Sequence, residues 1–332
     1  MNPNPINLAE QHYLKEKIRQ TLATNPNLGI LDVRVQIEGK RLFLWGEVSS
    51  TEKGERAAAA VQALLPDYEI VNELTPPILT EAIPPEGPYI RVAAASDLHY
   101  DLLSAGKLRN SFLGLNGEAD LLLLGGDLTD TGLPEEAALL ADDLKGVNLP
   151  IVAVLGNHDY QSDRQKEIAS ILRDAKVAVL EGESVLIQCR ELSVGIAGTK
   201  GFGGGFEGAC GTAFGEPEMK AFIHHTEALA ERLKQTLIDL RADQKIALVH
   251  YSPVPDTLAG ERLEIFPFLG SYLLAEAIDE GGADLVIHGH AHHGQERGMT
   301  PCGVPVRNVA LPLLKKPFAL FTLAPRVKKA RS

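Results

Sequence analysis

Residues 90–99, with the sequence IRVAAASDLH, decide the fold. A mostly apolar run of six residues leads into Asp97 and His99, which is the pattern of a buried strand followed by a polar loop. The same pattern returns at residues 121–127 (LLLLGGD), 151–159 (IVAVLGNHD), 245–250 (KIALVH) and 284–293 (DLVIHGHAHH). Short apolar runs that alternate with helical segments predict an α/β fold whose sheets are buried on both faces.

The predicted strands of this part of the chain are short and separated by turn or helical segments. They cover residues 90–95, 119–124, 149–155, 184–187, 193–197, 245–249, 284–287, 306–309 and 318–323. A helix is expected over residues 216–241. These elements predict a two-layered or sandwiched α/β domain over residues 89–325, followed by a basic tail at residues 326–332.

Residues 1–76 have a different pattern. Apolar spacing predicts helices over residues 8–23 and 57–65, a hairpin around Gly39, and a third strand over residues 68–74. The order helix, strand, strand, helix, strand predicts a small α+β (αββαβ) domain. Five prolines between Pro76 and Pro88 predict a semi-rigid linker over residues 77–88.

The composition is that of a globular protein, and it excludes several classes of function. Hydrophobic residues make up 45% and charged residues 23% of 332 residues, with a net charge of −12. The acidic balance argues against strong general binding of nucleic acid. Three cysteines are too few for a disulfide framework, no apolar run is long enough to span a membrane, and the N-terminus shows no secretory signal pattern. We therefore expect a cytoplasmic location.

Each polar motif has an ordinary structural alternative when taken alone. Asp97-Leu98-His99 suits a surface turn, Gly-Asn-His-Asp is common turn chemistry, and His250 alone is typical of a core histidine. Four histidines within residues 288–293 are harder to explain by packing. All five motifs follow strands, and ligands at the carboxyl ends of neighbouring strands converge on one crevice. Carboxylate, imidazole and amide donors without sulfur favour divalent transition ions.

The set Asp-x-His, Gly-Asp, Gly-Asn-His-Asp, His and Gly-His-x-His resembles the calcineurin-like metallophosphoesterase family over residues 89–325. The resemblance implies a β-sandwich flanked by helices and two divalent metal ions, Mn, Fe or Zn. It assigns the ligands as follows: Asp97, His99, Asp127 and His292 for the first ion; Asp127, Asn157, His250 and His290 for the second. His288 and His293 then lie outside the coordination sphere or on the surface.

The same resemblance gives His158 and Asp130 catalytic roles. It implies hydrolysis of a phosphoester by metal-activated hydroxide, with His158 assisting the leaving group. Asp130 resembles the family's carboxylate that orients this histidine, an arrangement that fixes the tautomer.

The substrate is less constrained by the sequence. Protein phosphatases of this superfamily usually carry an arginine after the Gly-Asp and Gly-Asn-His blocks, whereas this chain has DLTDTG at 127–132 and HDY at 158–160. The difference favours a small-molecule phosphodiester. A phosphomonoesterase or a nucleotide pyrophosphohydrolase remains an alternative, as does a non-catalytic interaction scaffold on the same fold.

The glycine-rich segment 201–215 has two interpretations. It is either a flexible surface loop or a mobile flap that offers Phe202, Phe206 and Phe214 to an apolar group. The candidate substrate contacts are Asn157, Lys200, Phe202 and Arg164. His224 and His225, on the predicted helix, are expected to be solvated.

The N-terminal residues also carry a resemblance. The stretches LWGEVSS at 44–50 and VNEL at 71–74, with a helix between them, resemble a BON domain over residues 7–76. The resemblance implies a lipid or protein partner and no catalytic role.

Overall fold

The computed structural model describes residues 8–24, 33–47, 51–75 and 88–324. The chain divides into two compact units, Met1–Ile78 and Leu79–Ser332. The predicted linker, apart from Pro88, and the basic tail lie outside the described residues. None of the helices in the described residues is long and apolar enough to cross a membrane.

The first unit has the predicted αββαβ order. Its elements are α1 (Leu8–Thr24), β1 (Arg34–Glu38), β2 (Arg41–Glu47), α2 (Thr51–Leu64) and β3 (Glu69–Thr75). β1 and β2 form an antiparallel hairpin that turns at Gly39, where φ is +62°, and β3 pairs parallel to β2. Leu42 and Leu44 of β2 are fully buried, because alternate residues of a strand face the helices.

The second unit contains the remaining strands and helices. The strands are β4 (Ile90–Ala95), β5 (Leu121–Gly125), β6 (Ile151–Val154), β7 (Val177–Val179), β8 (Glu183–Cys189), β9 (Leu192–Thr199), β10 (Gly205–Phe206), β11 (Ala209–Cys210), β12 (Gln244–Val249), β13 (Leu285–His288), β14 (Arg297–Met299), β15 (Pro305–Asn308) and β16 (Ala319–Leu323). The helices are α3 (Arg109–Glu118), α4 (Pro134–Asp143), α5 (Gln165–Asp174), α6 (Pro217–Asp239), α7 (Phe266–Leu269), α8 (Tyr272–Gly281) and α9 (Leu311–Leu314). Short 3₁₀ turns cover His158–Tyr160, Pro255–Leu258 and Leu263–Ile265.

Two sheets pack face to face in this unit. One has the strand order β16-β4-β5-β6-β7 and the other β14-β15-β13-β12-β9-β8. β4, β5, β6 and β7 run parallel, as do β9, β12, β13 and β15. The predicted β-sandwich flanked by helices is confirmed.

The apolar runs are nearly continuous because both faces of each sheet are covered. In β4, Val92 and Ala94 pack between the sheets, whereas Ala93 and Ala95 belong to the core beneath α3, α4 and α5. In the second sheet, Ala247 contributes to the core beneath α6 and α8. The result is a four-layer unit with three apolar interfaces.

Four strands were absent from the sequence prediction: β7, β10, β11 and β14. β7 and β14 have only three residues each, too few to give a period-two signal, and the pattern did not predict them. The glycine-rich segment contains the hairpin β10–β11 rather than a free loop. Gly204 N and Gly205 N donate to the carbonyls of Pro267 and Gly270 and tie the hairpin to α7.

Candidate metal centre

The polar motifs lie at the carboxyl ends of five strands. Asp97 follows β4, Asp127 follows β5 and Asn157 follows β6 in one sheet; His250 follows β12, and His290 follows β13 in the other. β4, β5 and β6 are parallel neighbours, and so are β12 and β13. Their ends meet at one edge of the sandwich, which brings the candidate ligands together.

The first cluster consists of Asp97, His99 and His292. Oδ1 of Asp97 is 2.8 Å from Nε2 of His292, and the Nε2 atoms of His99 and His292 are 3.5 Å apart. Asp97 is 1% exposed, and both of its carboxylate oxygens accept from the main-chain N of His290 at 3.0 Å. This cluster thus offers one fixed carboxylate and two converging imidazoles.

The second cluster consists of Asp127, His250 and His290, with Asn157 beside it. Nε2 of His250 is 3.3 Å from Oδ1 of Asp127 and 3.0 Å from Oδ1 of Asn157. His250 is fully buried. The donors here are a carboxylate, an amide oxygen and two imidazoles.

Asp127 lies between the two clusters. Its Oδ1 faces His250, while its Oδ2 is 4.0 Å from Nε2 of His99. The main-chain N of His158 donates to Oδ1 at 2.9 Å and fixes the carboxylate. Asp127 thus presents one carboxylate oxygen to each cluster.

Two of the histidines are oriented by main-chain carbonyls. Nδ1 of His250 donates to the carbonyl of Gly125 at 2.9 Å, and Nε2 of His290 donates to that of Phe268 at 3.2 Å. Each ring therefore directs its other nitrogen, Nε2 of His250 and Nδ1 of His290, away from the backbone partner. Such hydrogen bonds fix the tautomer and orientation of a metal-binding histidine.

The backbone is strained at the candidate ligands. Asp97, His99, Asp127 and His290 have φ values of +56°, +44°, +48° and +69°. Left-handed conformations are unfavourable for residues with a Cβ, and they persist where the surrounding structure enforces them, often at functional sites.

Two glycines allow the loops to approach each other closely. A Cβ at Gly156 would lie 2.1 Å from Oδ1 of Asp127, and one at Gly289 would lie 2.1 Å from Oδ2 of Asp97. The Gly-Asn-His and Gly-His motifs therefore need glycine at these positions, because any side chain would collide with a carboxylate of the site.

The two buried carboxylates, Asp97 and Asp127, favour positive charge on the groups next to them. Burial disfavours the charged form of His250, but nearby Asp127 and Asp97 outweigh burial and raise the pKa of His250 to about 9. Burial, together with the charge of His250, lowers the pKa of His290 to about 3. His290 is therefore neutral, as a ligand imidazole must be.

Asp130 differs from its predicted role. The carbonyl of Asp130, not its carboxylate, accepts from Nδ1 of His158 at 2.6 Å. The carboxylate turns toward Nδ1 of His99, which is 3.4 Å away. The predicted Asp–His pairing of Asp130 with His158 is corrected accordingly: His158 is oriented by the main-chain carbonyl of Asp130, because the side chain of this residue points to His99.

Asp159 is a residue whose role the sequence analysis missed. Its buried carboxylate accepts from the main-chain N of Leu128, Thr129 and Gly156 and from the Thr129 hydroxyl, at 2.6–3.2 Å. It thus ties the Gly-Asp loop to the Gly-Asn-His loop. Burial and the charge of Asp127 raise the pKa of Asp159 to about 6. The only sequence signal was the Asp that follows Gly-Asn-His.

The predicted substrate contacts have different surroundings. Lys200 is 7% exposed, and its amine lies 4.7 Å from the ring centroid of Phe202. Arg164 pairs instead with Glu167 at 2.7 Å and with Glu135 at 3.9 Å. Both partners lie in the first turns of helices, so the guanidinium of Arg164 is engaged by two glutamates.

The other aromatic residues and histidines singled out in the sequence differ in their exposure to solvent. Phe206 is 5% exposed and packs against Phe266, so it is not available to a substrate as proposed for a flap. Phe214 is 82% exposed. His288 is fully buried and hydrogen bonds to Thr257. His224, His225 and His293 are exposed.

Family comparisons decide the assignment. Residues 90–294, more than half of the chain, match the calcineurin-like phosphoesterase family. The chain belongs to the calcineurin-like phosphoesterase family. Residues 11–75 match the BON domain. Both resemblances seen in the sequence are thereby confirmed.

The individual relatives that this chain matches are distant. It is 24% identical over 214 residues to the uncharacterized protein YpbG of Bacillus subtilis (strain 168), and the match covers 63% of this chain and 64% of YpbG. The chain thus spans slightly less than two thirds of that relative. The solved phosphopantetheinyl hydrolase (PptH) from Mycobacterium tuberculosis has a TM-score of 0.53 at 16% identity, covering 73% of this chain and 98% of its own. A solved protein of Thermus thermophilus, TT1561, has a TM-score of 0.44 at 21% identity, with 70% and 98% coverage. The likeness to PptH concerns the fold.

Divalent metal ions fit this site. Carboxylate, imidazole and amide donors converge without sulfur, a set that suits divalent first-row ions. Nδ1 of His99 is buried and forms no hydrogen bond, and the facing Nε2 atoms of His99 and His292 have a carboxylate beside them. His/Asp clusters of this kind are able to hold the metal that the family uses.

Proposed function

We propose that this protein is a binuclear metal-dependent phosphodiesterase. The single observation that supports it best is the position of Asp127 between the two donor clusters, with one carboxylate oxygen toward His99 and the other toward His250. Asp97, His99, Asp127 and His292 hold one ion, and Asp127, Asn157, His250 and His290 hold the other. Two bound divalent ions supply Lewis-acid polarisation of the phosphoryl group and an activated water near neutral pH.

His158 acts beside the phosphoryl group in this proposal. Its Nδ1 donates to the carbonyl of Asp130, which leaves Nε2 as the nitrogen that exchanges a proton with the leaving-group oxygen. Its ring lies 4.5 Å from that of His99, edge to face. His99, Asp127 and His158 are close enough to form a further donor group, and we assign His158 in it to the leaving group rather than to an ion.

A phosphodiester is favoured over a phosphomonoester by charge. Arg164 is engaged by two glutamates, and Lys200 supplies a single buried cation beside the site. A diester carries one negative charge where a monoester carries about two near neutral pH. One lysine without a bidentate arginine clamp matches the smaller charge. Asn157, Lys200 and Phe202 are the substrate contacts in this proposal, and Arg164 is not.

The BON domain serves recruitment rather than catalysis. The His/Asp groups found in the described residues, all between Asp97 and His292, lie outside it. We propose that it binds a lipid or protein partner and that the protein works in the cytoplasm on a small-molecule phosphoester.

The test compares diesters and monoesters that share a p-nitrophenolate leaving group. The chelator-stripped full chain is loaded in turn with Mn²⁺, Fe²⁺ and Zn²⁺, and metal content is measured. We expect diester hydrolysis to exceed monoester hydrolysis. Preference for monoesters, or turnover that survives metal removal, would refute the proposal.

Asp127→Asn supplies the matched variant. Loss of the shared charge should reduce metal content at both sites and lower kcat/KM by at least about a hundredfold, since even outer partners of metal ligands are worth about 10–100-fold. Asp174→Asn, the same change at an exposed residue that ends α5, should leave both unchanged. Full two-metal loading with near-normal activity in Asp127→Asn contradicts the shared site.

A further inference from the structure

Four aromatic rings form a row that starts at the metal centre. The ring of Tyr251 lies 4.4 Å from that of His290 and 5.7 Å from that of Phe202, centroid to centroid. Phe202 is 5.0 Å from Phe222, which is 6.4 Å from Phe268. The row thus leads from a candidate metal ligand to a phenyl ring that is 61% exposed.

Exposure along the row increases outward. Tyr251 is 7% exposed, Phe202 and Phe222 are half-buried, and Phe268 is mostly exposed. Packing in the core explains why an aromatic residue stands at position 251, but it does not explain the exposed ring of Phe268. Exposed apolar surface continuous with a polar cleft is typical of a ligand-binding surface.

A buried cation lies at the inner end of the row. The amine of Lys200 is 5.1 Å from the ring of Tyr160, 4.7 Å from that of Phe202 and 5.2 Å from that of Tyr251. Its one hydrogen bond within the described part of the chain goes to the carbonyl of Gly201 at 3.3 Å, and no described carboxylate lies within ion-pair distance. Burial lowers the pKa of Lys200, and the charges of Glu181 and Asp127 oppose this by favouring its cationic form. A buried amine with spare donors suits an anionic ligand.

The same main chain joins the row to the metal centre. The carbonyl of Lys200 accepts from the main-chain N of both His250 and Tyr251, at 3.0 and 3.1 Å. At the outer part, a Cβ on Gly203 would lie 2.4 Å from the carbonyl oxygen of Pro267, so only glycine permits this packing. The row is therefore preorganised, which reduces the entropic cost of binding.

We propose that the row of Tyr251, Phe202, Phe222 and Phe268 binds a long apolar or aromatic substituent of the phosphoester, with Lys200 contacting an anionic oxygen at its inner end. The substrate class is an amphipathic phosphodiester: a phosphoryl group at the metal centre and an apolar alcohol portion along the rings. This inference rests on the proposed function and specifies its substrate.

Binding is measured without turnover, by calorimetric titration of the metal-loaded full chain with octylphosphonate and methylphosphonate. The two probes share the anionic group and differ in the apolar chain. We expect octylphosphonate to bind at least about tenfold more tightly, because each buried methylene contributes about 0.8 kcal/mol and several contact the row. Equal affinity for the two probes overturns the inference.

Single-residue variants distinguish binding along the row from nonspecific binding of the octyl chain to other exposed apolar surface. Phe268→Ala should reduce the octyl-to-methyl affinity ratio severalfold, and its exposed position spares the fold, which circular dichroism checks. Leu186→Ala, at another exposed apolar residue, 57% exposed on β8, should leave the ratio unchanged. Lys200→Met should weaken both probes by the same factor. An unchanged ratio in Phe268→Ala, or an equal drop in Leu186→Ala, overturns the inference. Binding along the row without hydrolysis of any diester contradicts the proposed function alone.

Discussion

Oδ1 of Asp130 lies 3.4 Å from Nδ1 of His99, on the opposite side of the ring from Nε2, which faces His292. The carboxylate of Asp130 therefore lies within ion-pair distance of the outer nitrogen of a candidate metal ligand, although the two form no hydrogen bond. Its main-chain carbonyl, by contrast, binds His158. One residue thus serves two histidines through two different groups, and a side-chain substitution separates the two functions.

Asp130→Ala should weaken metal binding and leave the orientation of His158 intact. The carbonyl that holds His158 survives the substitution, whereas His99 loses its outer carboxylate; such partners are worth about 10–100-fold in metal affinity. Calorimetric titration of the stripped protein with Mn²⁺ measures the change. Unaltered metal affinity, combined with a steeper dependence of rate on leaving-group pKa, would show that the carboxylate acts through His158 instead.

His158→Ala should retain metal and lose rate. General-acid assistance contributes about 10²–10⁴-fold, and the loss should shrink as the leaving group improves. Rates with a series of aryl diesters and metal content by elemental analysis give the two readouts. His224→Ala is the control, because His224 is exposed on α6 and pairs with Glu227. The same loss for poor and good leaving groups would count against proton donation.

The convergence of the candidate residues was predictable from the sequence because its determinants are local. Each of them follows an apolar run closely, so strand direction places Asp97, Asp127, Asn157, His250 and His290 at one edge of the sandwich. Their assignment as metal ligands is what the family resemblance implies and stays a prediction. The spacing of residues in a motif does not determine side-chain direction within the resulting loop. For that reason the partner of the Asp130 carboxylate was predicted wrongly.

The features that the sequence did not indicate depend on tertiary contacts. Asp159 has its role only because two loops bring three main-chain N–H groups to one carboxylate. Phe206 is buried because the glycine-rich hairpin docks onto α7, although its sequence suggested an open flap. The aromatic row joins Phe202 to Phe268, residues far apart in the chain, and periodicity within one element carries no signal for such a row.

Asp120→Asn should reduce stability in a pH-dependent manner. Burial alone would raise the pKa of Asp120, but hydrogen bonds from Arg91 and the charge of Arg190 hold this pKa below its usual range. A depressed carboxyl pKa stabilises the fold above the unfolded-state value of about 3.9 and loses that contribution as pH falls through the folded-state value. The variant should therefore be less stable by about 1–2 kcal/mol at pH 7 and approach the parent in acid.

Urea unfolding at pH 7, 5 and 3.5, followed by far-ultraviolet circular dichroism, measures the Asp120 effect. Trp45, the one tryptophan of the chain, lies in the BON domain and reports that domain separately by fluorescence. Its transition should not respond to Asp120→Asn, and Asp174→Asn should affect neither signal. A stability difference that stays constant down to pH 3.5 would mean that the charge of Asp120 is not responsible.

The two units should separate in the proline-rich segment without loss of the metal centre. Every candidate ligand lies between Asp97 and His292, and the compact unit that contains them begins at Leu79. A chain that starts at Gly87 should fold, hold as much metal as the full chain and hydrolyse a small soluble diester at a similar rate. Metal content, circular dichroism and kcat/KM test this directly. If the shortened chain keeps its secondary structure but loses metal, the BON domain supports the metal centre and the two units are not independent. If the chain keeps its metal while KM and kcat change together, the BON domain acts on substrate access, as a lid element does.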